Sequence, residues 1–309
     1  MPLNPQAKQI LDVMASMGVT LVGDDPVAVR AQMATFPRPE GEIVGSIVER
    51  TIPGPGGEIP VRIYTPAPVS GGGTRAGLVW FHGGGWVIGN LDGADYGCRM
   101  FANASNAVVV SVDYRLAPEA KFPAAADDCF AATKWVAENA ASLGIDAHKI
   151  AVGGDSAGGN LATVVSQMAQ ANGGPSIGYQ LLIYPVTNHS FDTVSYRDNA
   201  VGYLLTKESM EWFWGHYLAN EGDGANPKAS PSRASSLAGL PPALVVTAEF
   251  DPLRDEGEAY AAAMSKAGVK VEARRYDGQI HGFYANAAID DGRAAVVQAA
   301  ECLKAALAS

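Results

Sequence analysis

The stretch Ile150-Ala151-Val152-Gly153-Gly154-Asp155-Ser156-Ala157-Gly158-Gly159-Asn160-Leu161-Ala162-Thr163-Val164 runs from a short apolar segment, through a serine flanked by glycines, into a helix-competent segment. An apolar run of this length followed by such a turn reads as a buried strand feeding a helix. Glycines two residues to either side allow the turn to be tight enough to hold Ser156 in a strained conformation with its Oγ exposed, the arrangement a nucleophile needs. Taken alone the G-x-S-x-G spacing is weak, and it recurs at Gly174-Pro175-Ser176-Ile177-Gly178. Context separates the two: Ser176 sits beside a proline in a loop and leads into a strand, so Ser156 is the candidate nucleophile.

Working outward from this junction, strand-like and helix-like patterns alternate from residue 43 onward. Expected strands are Ile43–Thr51, Ile59–Tyr64, Gly77–Phe81, Val108–Val112, Lys149–Val152, Leu181–Tyr184, Leu244–Thr247 and Val269–Arg274. Amphipathic stretches such as Ala124–Asn139, Asn160–Gln170, Asp255–Ala267 and Ala294–Leu307 lie among them. This alternation predicts βαβ units and an α/β fold with a mostly parallel eight-stranded sheet flanked by helices. Only Pro53–Glu58 separates the first two strands, which predicts an antiparallel hairpin at one edge. Residues 1–42 read as helical, with Ile10, Leu11, Met14 and Met17 on one face and Asp25-Pro26 opening a second helix. Residues 187–236, irregular and then helical, gather Tyr203, Trp212, Phe213, Trp214 and Tyr217. Both segments could fold over one end of the sheet as a lid, or the aromatics could simply pack on the body. The Gly71-Gly72-Gly73 triplet reads as a loop.

Composition excludes several function classes. Thirty-two acidic against 22 basic residues leave a formal charge of −10 over 309 residues, and no basic stretch locally reverses it, which argues against a nucleic-acid partner. No apolar run approaches the roughly 18 residues of a membrane span, and the N-terminal residues lack the pattern of a secretory signal. Cys98, Cys129 and Cys302 are an odd number, far apart and without a CxxC, which predicts reduced thiols in a cytoplasmic protein. No G-x-G-x-x-G, G-x-x-x-x-G-K-[ST] or H-x-x-x-H occurs, so neither a nucleotide cofactor nor a metal is expected.

His82-Gly83-Gly84-Gly85-Trp86 directly follows the third strand and is the more specific motif. A tetrahedral intermediate of acyl transfer needs N–H donors with no side chain in the way, and consecutive glycines expose them. The expected oxyanion hole is the amides of Gly84, Gly85 and Ala157. His82 could be taken for a base, but it reads better as bracing its own loop, because the base should follow the serine in chain order. Of the five histidines, His82 and His148 precede Ser156, and His148, leading into a strand, belongs at the opposite end of the sheet. His189 and His216 fall in the 187–236 insertion. His281, in Gly278-Gln279-Ile280-His281-Gly282-Phe283 after the last strand, is the expected base. Asp251, at the end of the seventh strand, is the expected orienting acid; Glu249, read as still within that strand, and Asp277, in the histidine's own loop, are its rivals. Asp255 and Glu256 begin the next helix, where a favourable dipole interaction explains them.

Together these residues resemble the hormone-sensitive-lipase-like family of α/β-hydrolases, especially its small microbial carboxylesterases. The likeness is carried by His82-Gly83-Gly84-Gly85-Trp86, Asp113-Tyr114-Arg115-Leu116-Ala117-Pro118-Glu119, Gly154-Asp155-Ser156-Ala157-Gly158-Gly159-Asn160, Asp251-Pro252-Leu253-Arg254-Asp255 and His281-Gly282-Phe283. It implies an α/β-hydrolase fold with a helical cap built from residues 1–42 and an insertion at about 187–236 of a catalytic domain spanning 43–309. It further implies hydrolysis of short- to medium-chain acyl esters without cofactor or metal, a small-molecule ester as partner, and is compatible with a homodimer. Trp86 stands where the family commonly has Phe, which bears on pocket shape; Trp86, Asp155 and Trp212 are expected around the pocket. Tyr114-Arg115 and Asp127-Asp128 read as structural. The competing readings are an amidase or lactonase on the same triad, and a non-catalytic ligand-binding member of the fold.

Overall fold

The computed structural model describes residues 1–36, 38–68 and 73–308. Gly71 and Gly72 of the glycine triplet lie outside the described residues. The strands are β1 (Ser46–Gly54), β2 (Gly57–Thr65), β3 (Arg75–Phe81), β4 (Val108–Val112), β5 (Ile145–Asp155), β6 (Tyr179–Ile183), β7 (Ala243–Phe250) and β8 (Val271–Ile280). They form one sheet in the order β1-β2-β4-β3-β5-β6-β7-β8. The β1–β2 and β2–β4 pairings are antiparallel and the remaining pairings parallel, so the expected edge hairpin and parallel body are both present.

The alternation of side chains along a strand explains why the middle strands are apolar throughout. Val79, Phe81, Val108, Val110, Ile150, Val152 and Leu182 point into a core shared with α4 (Ala124–Glu138), α5 (Ala157–Ala171) and α8 (Arg254–Lys266). Leu78, Trp80, Val109, Ala151, Leu181 and Ile183 point the other way, toward α3 (Leu91–Ser105) and α9 (Asp290–Ala306). Both faces being covered, neither can be polar. Each Val, Leu or Ile so buried contributes roughly 1.5–3 kcal/mol of transfer free energy.

Several boundaries differ from the sequence expectation, each for a physical reason. β1 begins at Ser46, and Ile43 is 92% exposed. β5 begins at Ile145, ahead of a register shift against β3, so His148 lies inside the strand rather than before it. β8 continues to Ile280, which pairs with Phe250 and takes Asp277 out of the loop and into the strand. Its polar run Arg274-Arg275-Tyr276-Asp277 hides it from a hydrophobicity reading, yet the backbone pairs with β7 regardless of those side chains. Helix α3 runs unbroken through Gly93 and Gly97 and buries Cys98, Met100, Phe101, Ala102 and Ser105 on one face.

The N-terminal segment supplies α1 (Pro5–Ser16) and α2 (Pro26–Ala34). The Asp25 side chain caps α2 by accepting from the Val27 amide at 2.9 Å, with Pro26 at the first helical position as expected. Ile10 and Leu11 pack on the body, whereas Met17 lies just past α1 and is 56% exposed. The stretch between β6 and β7 contains α6 (Val194–Asp198) and α7 (Lys207–Tyr217). Phe213, Trp214 and Tyr217 of α7 are buried, so these aromatics pack against the body, while the half-buried Trp212 donates its indole N–H to the Gly23 carbonyl at 2.8 Å. The two segments outside the alternating pattern are thereby joined to each other. Among the described residues no helix is long and apolar enough to cross a membrane. Cys98, Cys129 and Cys302 are free thiols.

Candidate active site

Ser156 stands between the last residue of β5 and the first of α5, with φ +58° and ψ −119°. A non-glycine residue in that region is strained and persists only where its surroundings over-determine it. Here the Ser156 amide donates to the Ile183 carbonyl at 2.8 Å, and Gly158 packs its Cα directly against the Phe81 carbonyl, where any side chain would clash. The glycine of the motif is thus required by close approach of two backbones.

The chain ends of three strands converge on this serine. His281 follows β8, and its Nε2 accepts from the Ser156 hydroxyl at 3.0 Å. Its Nδ1–H donates to Asp251 Oδ2 at 2.7 Å. Asp251 follows β7, has no exposed surface, and accepts the Leu253 amide on its other oxygen at 2.8 Å. Ser156 and His281 are 6% and 7% exposed, so the serine, the imidazole and the carboxylate form one nearly dry chain of hydrogen bonds. This chain sets the imidazole tautomer: with Nδ1 protonated, Nε2 is free to take a proton from the hydroxyl.

The other candidates are placed elsewhere. Glu249 lies in β7 and accepts the Gly278 amide at 2.6 Å; Asp277 lies in β8. His189 packs between Phe191 and Trp214, and His216 against Trp212. Ser176 is exposed between α5 and β6.

Gly84 and Gly85 adopt φ +115° and +57°, conformations that L side chains resist, and their amides donate to no group among the described residues. Ala157, the first residue of α5, has no intrahelical acceptor for its amide. These are the three donors the sequence reading names. His82 Nδ1–H donates to the Gly83 carbonyl at 2.7 Å while its ring stacks on Tyr114 at 4.4 Å. Tyr114 in turn donates its hydroxyl to the His82 carbonyl at 2.7 Å. Burial pushes His82 down to about 4, so the imidazole is neutral at ordinary pH. Asp155 Oδ1 accepts the Gly83 amide at 3.0 Å, tying the nucleophile strand to the glycine loop. Burial pushes Asp155 up to about 6, partly offset by His281 and the Gly83 amide.

The three residues expected around the pocket have different surroundings. Trp86 has no exposed surface; it stacks on Tyr217 at 4.1 Å and meets Trp214 at 4.6 Å, so it joins the glycine loop to α7 and offers no surface to a ligand. Trp212 is engaged with Gly23, as described above. Asp155 does line a cavity. Arg115 makes a two-pronged ion pair with the fully buried Asp128, at 2.8 Å on each arm, which is a structural role.

Sequence reasoning missed the residues that hold the acid in place. Asn199 donates its side-chain amide to the Asp251 carbonyl at 3.2 Å. Ser195, fully buried in α6, donates its hydroxyl to the Pro252 carbonyl at 2.7 Å. Its amide donates to Asp255 Oδ2 at 2.7 Å. Nothing in the local pattern around 195–199 signals contact with residues more than fifty positions later. Tyr184, at φ +33°, also went unnoticed; its ring lies 4.4 Å from that of His281.

Strand order, the strained serine turn and the Ser–His–Asp contacts define the class: an α/β-hydrolase carrying the constellation of a serine hydrolase. A family model described as alpha/beta hydrolase fold matches residues 78–285. The carboxylic ester hydrolase LipN of Mycobacterium tuberculosis is 44% identical over 291 residues, covering 91% of this chain and 77% of that protein. The structure of a hyperthermophilic esterase from the archaeon Pyrobaculum calidifontis superposes with a TM-score of 0.90 at 45% identity, covering 99% of each chain. An ester hydrolase from the metagenome of Lake Arreo gives a TM-score of 0.94 at 39% identity, covering 99% of this chain and 100% of that one. The chain belongs to the hormone-sensitive-lipase-like family of α/β-hydrolases and is a serine hydrolase of the carboxylesterase kind.

Proposed function

We propose that the protein hydrolyses short- to medium-chain carboxylic esters through an acyl-enzyme on Ser156, with His281 as general base and acid and Asp251 as its orienter. The observation that carries this reading is His281 bridging Ser156 Oγ and Asp251 Oδ2 at 3.0 and 2.7 Å. As Ser156 attacks the acyl carbonyl, His281 Nε2 takes the hydroxyl proton, and the developing oxyanion accepts from the amides of Gly84, Gly85 and Ala157. Collapse of the intermediate breaks the ester bond, and Nε2 returns the proton to the departing alcohol. Water, deprotonated by the same nitrogen, then attacks the acyl-enzyme and releases the acid and the free serine. Residues 1–42 and about 187–236 act in this reading as a cap on the domain spanning 43–309; the bond from Trp212 to Gly23 supports treating them as one unit.

The test is a series of initial rates on p-nitrophenyl esters from acetate to palmitate, with Ser156→Ala alongside. The expected result is a maximum at short or medium chains and a fall of about 10⁴-fold or more in the variant. A folded wild-type protein that cleaves none of these esters would sink the reading.

A further inference from the structure

On the face of the sheet covered by α3 and α9, beside the segments that carry Ser156 and His281 and lined by their neighbours Asp155 and Gly282, lies a cavity of about 560 Å³. Trp80 from the sheet and Tyr96 and Phe101 from α3 give it apolar walls, and the polar side chains of Arg38, Asp155, Tyr284 and Asn286 break them; Arg38 is paired with Asp92. Asp155 is the residue just before Ser156, and Tyr284 is three residues beyond His281, so these two polar groups of the cavity come from the chain segments that carry nucleophile and base. Asp155 spends Oδ1 on the Gly83 amide, and Oδ2 accepts no hydrogen bond among the described residues. Tyr284 is 8% exposed, its ring stacks on Trp80 at 6.0 Å, and its hydroxyl has no partner among the described residues. A buried hydroxyl with no partner is costly, and a carboxylate oxygen beside apolar walls is a stronger acceptor than one in water.

Resting on the esterase reading above, we propose that this cavity receives an arm of the ester that carries a hydrogen-bond donor, a hydroxyl or a protonated amine, which donates to Asp155 and lies against the Tyr284 hydroxyl. Purely hydrocarbon arms enter the same cavity but leave both polar groups unmatched, so among arms of equal length the site favours the one with a donor. Burial holds the Asp155 carboxyl near 6, leaving it mostly ionised at neutral pH, the state that such a donor satisfies best.

The donor can reside on either side of the scissile bond, and two substrate pairs distinguish the sides. Ethyl butyrate against ethyl 3-hydroxybutyrate probes the acyl arm; propyl butyrate against 3-hydroxypropyl butyrate probes the alcohol arm. In one pair the wild-type kcat/KM for the hydroxylated ester is expected to exceed that for its parent about tenfold at neutral pH, the value of one hydrogen bond to a charged group. Tyr284→Phe, which keeps the ring and its packing, and Asp155→Asn, which keeps an acceptor for Gly83, are each expected to bring that ratio toward one. Hydrolysis of both parents with no preference in either pair, or a preference that survives both substitutions, overturns the inference and leaves the esterase reading standing. A wild-type protein that cleaves neither parent overturns the esterase reading and this inference with it.

Discussion

Glu256 sits inside the molecule with one carboxyl oxygen accepting the amides of Thr187 and Asn188 at 2.6 and 3.2 Å and the other without a hydrogen-bond partner among the described residues. Burial pushes this carboxyl up to about 8. Between its ordinary value and about 8 the folded chain holds a proton that the unfolded chain has shed. The resulting stability is full below the ordinary carboxyl range and is lost as pH rises toward about 8. Glu256→Gln keeps the acceptor and removes the titration. Its melting temperature should therefore fall by several degrees less from pH 5 to 8.5 than that of the wild type, the remaining slope belonging to groups such as Asp155. His82 works in the opposite sense. Burial lowers it to about 4, so the unfolded chain binds the proton first, and the stability from neutral His82 is lost as pH falls from its ordinary value toward about 4. An NMR titration should find the His82 ring still neutral at about pH 5, more than a unit below its ordinary value; a ring already charged there would contradict the burial argument. At this scale Ser156, His281 and Asp251 were legible in the sequence because chain order restricts each role to few candidates. The burial of Trp86 was not legible, because its neighbours Trp214 and Tyr217 come from a helix about 130 positions away.

Helix α6 is five residues long, yet it organises the loop that carries Asp251. Ser195 and Asn199 together bond the carbonyls of Asp251 and Pro252 and both the amide and the carboxylate of Asp255. A short helix of this kind has little stability of its own, and its order comes from these partners. Its effect is to fix where the Asp251 carboxylate meets His281. Asn199→Ala should lower kcat by about 10- to 100-fold with a smaller change in KM, because a small displacement of the orienting acid is felt in the chemical step. Steady-state kinetics together with a melting curve checks this; an equal loss of kcat and folded fraction would reduce Asn199 to a purely structural part. The alternation of helices and strands was readable because burial on both faces leaves an unmistakable apolar run. Where burial is one-sided the signal fails, as in β8, whose edge position lets Arg275 face Glu258 in an ion pair while its backbone completes the sheet.

Across the whole molecule, the N-terminal segment and the 187–236 insertion meet on the side of the glycine loop. Arg30 of α2 is the principal tie. Its guanidinium donates to the carbonyls of Val87 at 2.7 Å and Ala117 at 2.6 Å and pairs with Glu119 at 2.7 Å. The Arg30 guanidinium holds the Glu119 carboxyl down to about 2. Because Glu119 is largely exposed, the two carbonyl bonds matter more than the ion pair. Arg30→Ala should cost on the order of 1–2 kcal/mol and raise KM more than it lowers kcat, since Val87 directly follows the glycine loop. Limited proteolysis should show earlier cleavage within residues 18–25, and unchanged cleavage would argue that other contacts carry the segment.

From the order of residues alone follow the α/β class, the hairpin edge, and the choice of Ser156, Asp251 and His281 as candidates, because local periodicity and chain order are written in sequence. The three-dimensional fold adds the rest. It seats Trp86 in the core, turns Asp155 into a brace for Gly83, clamps the Asp251 loop through Ser195 and Asn199, and leaves the Tyr284 hydroxyl buried without a partner among the described residues. Each of these depends on groups distant in the chain meeting in a medium of low dielectric. There an unpaired hydroxyl, a displaced pKa or a shared hydrogen bond gains its meaning only from its neighbours.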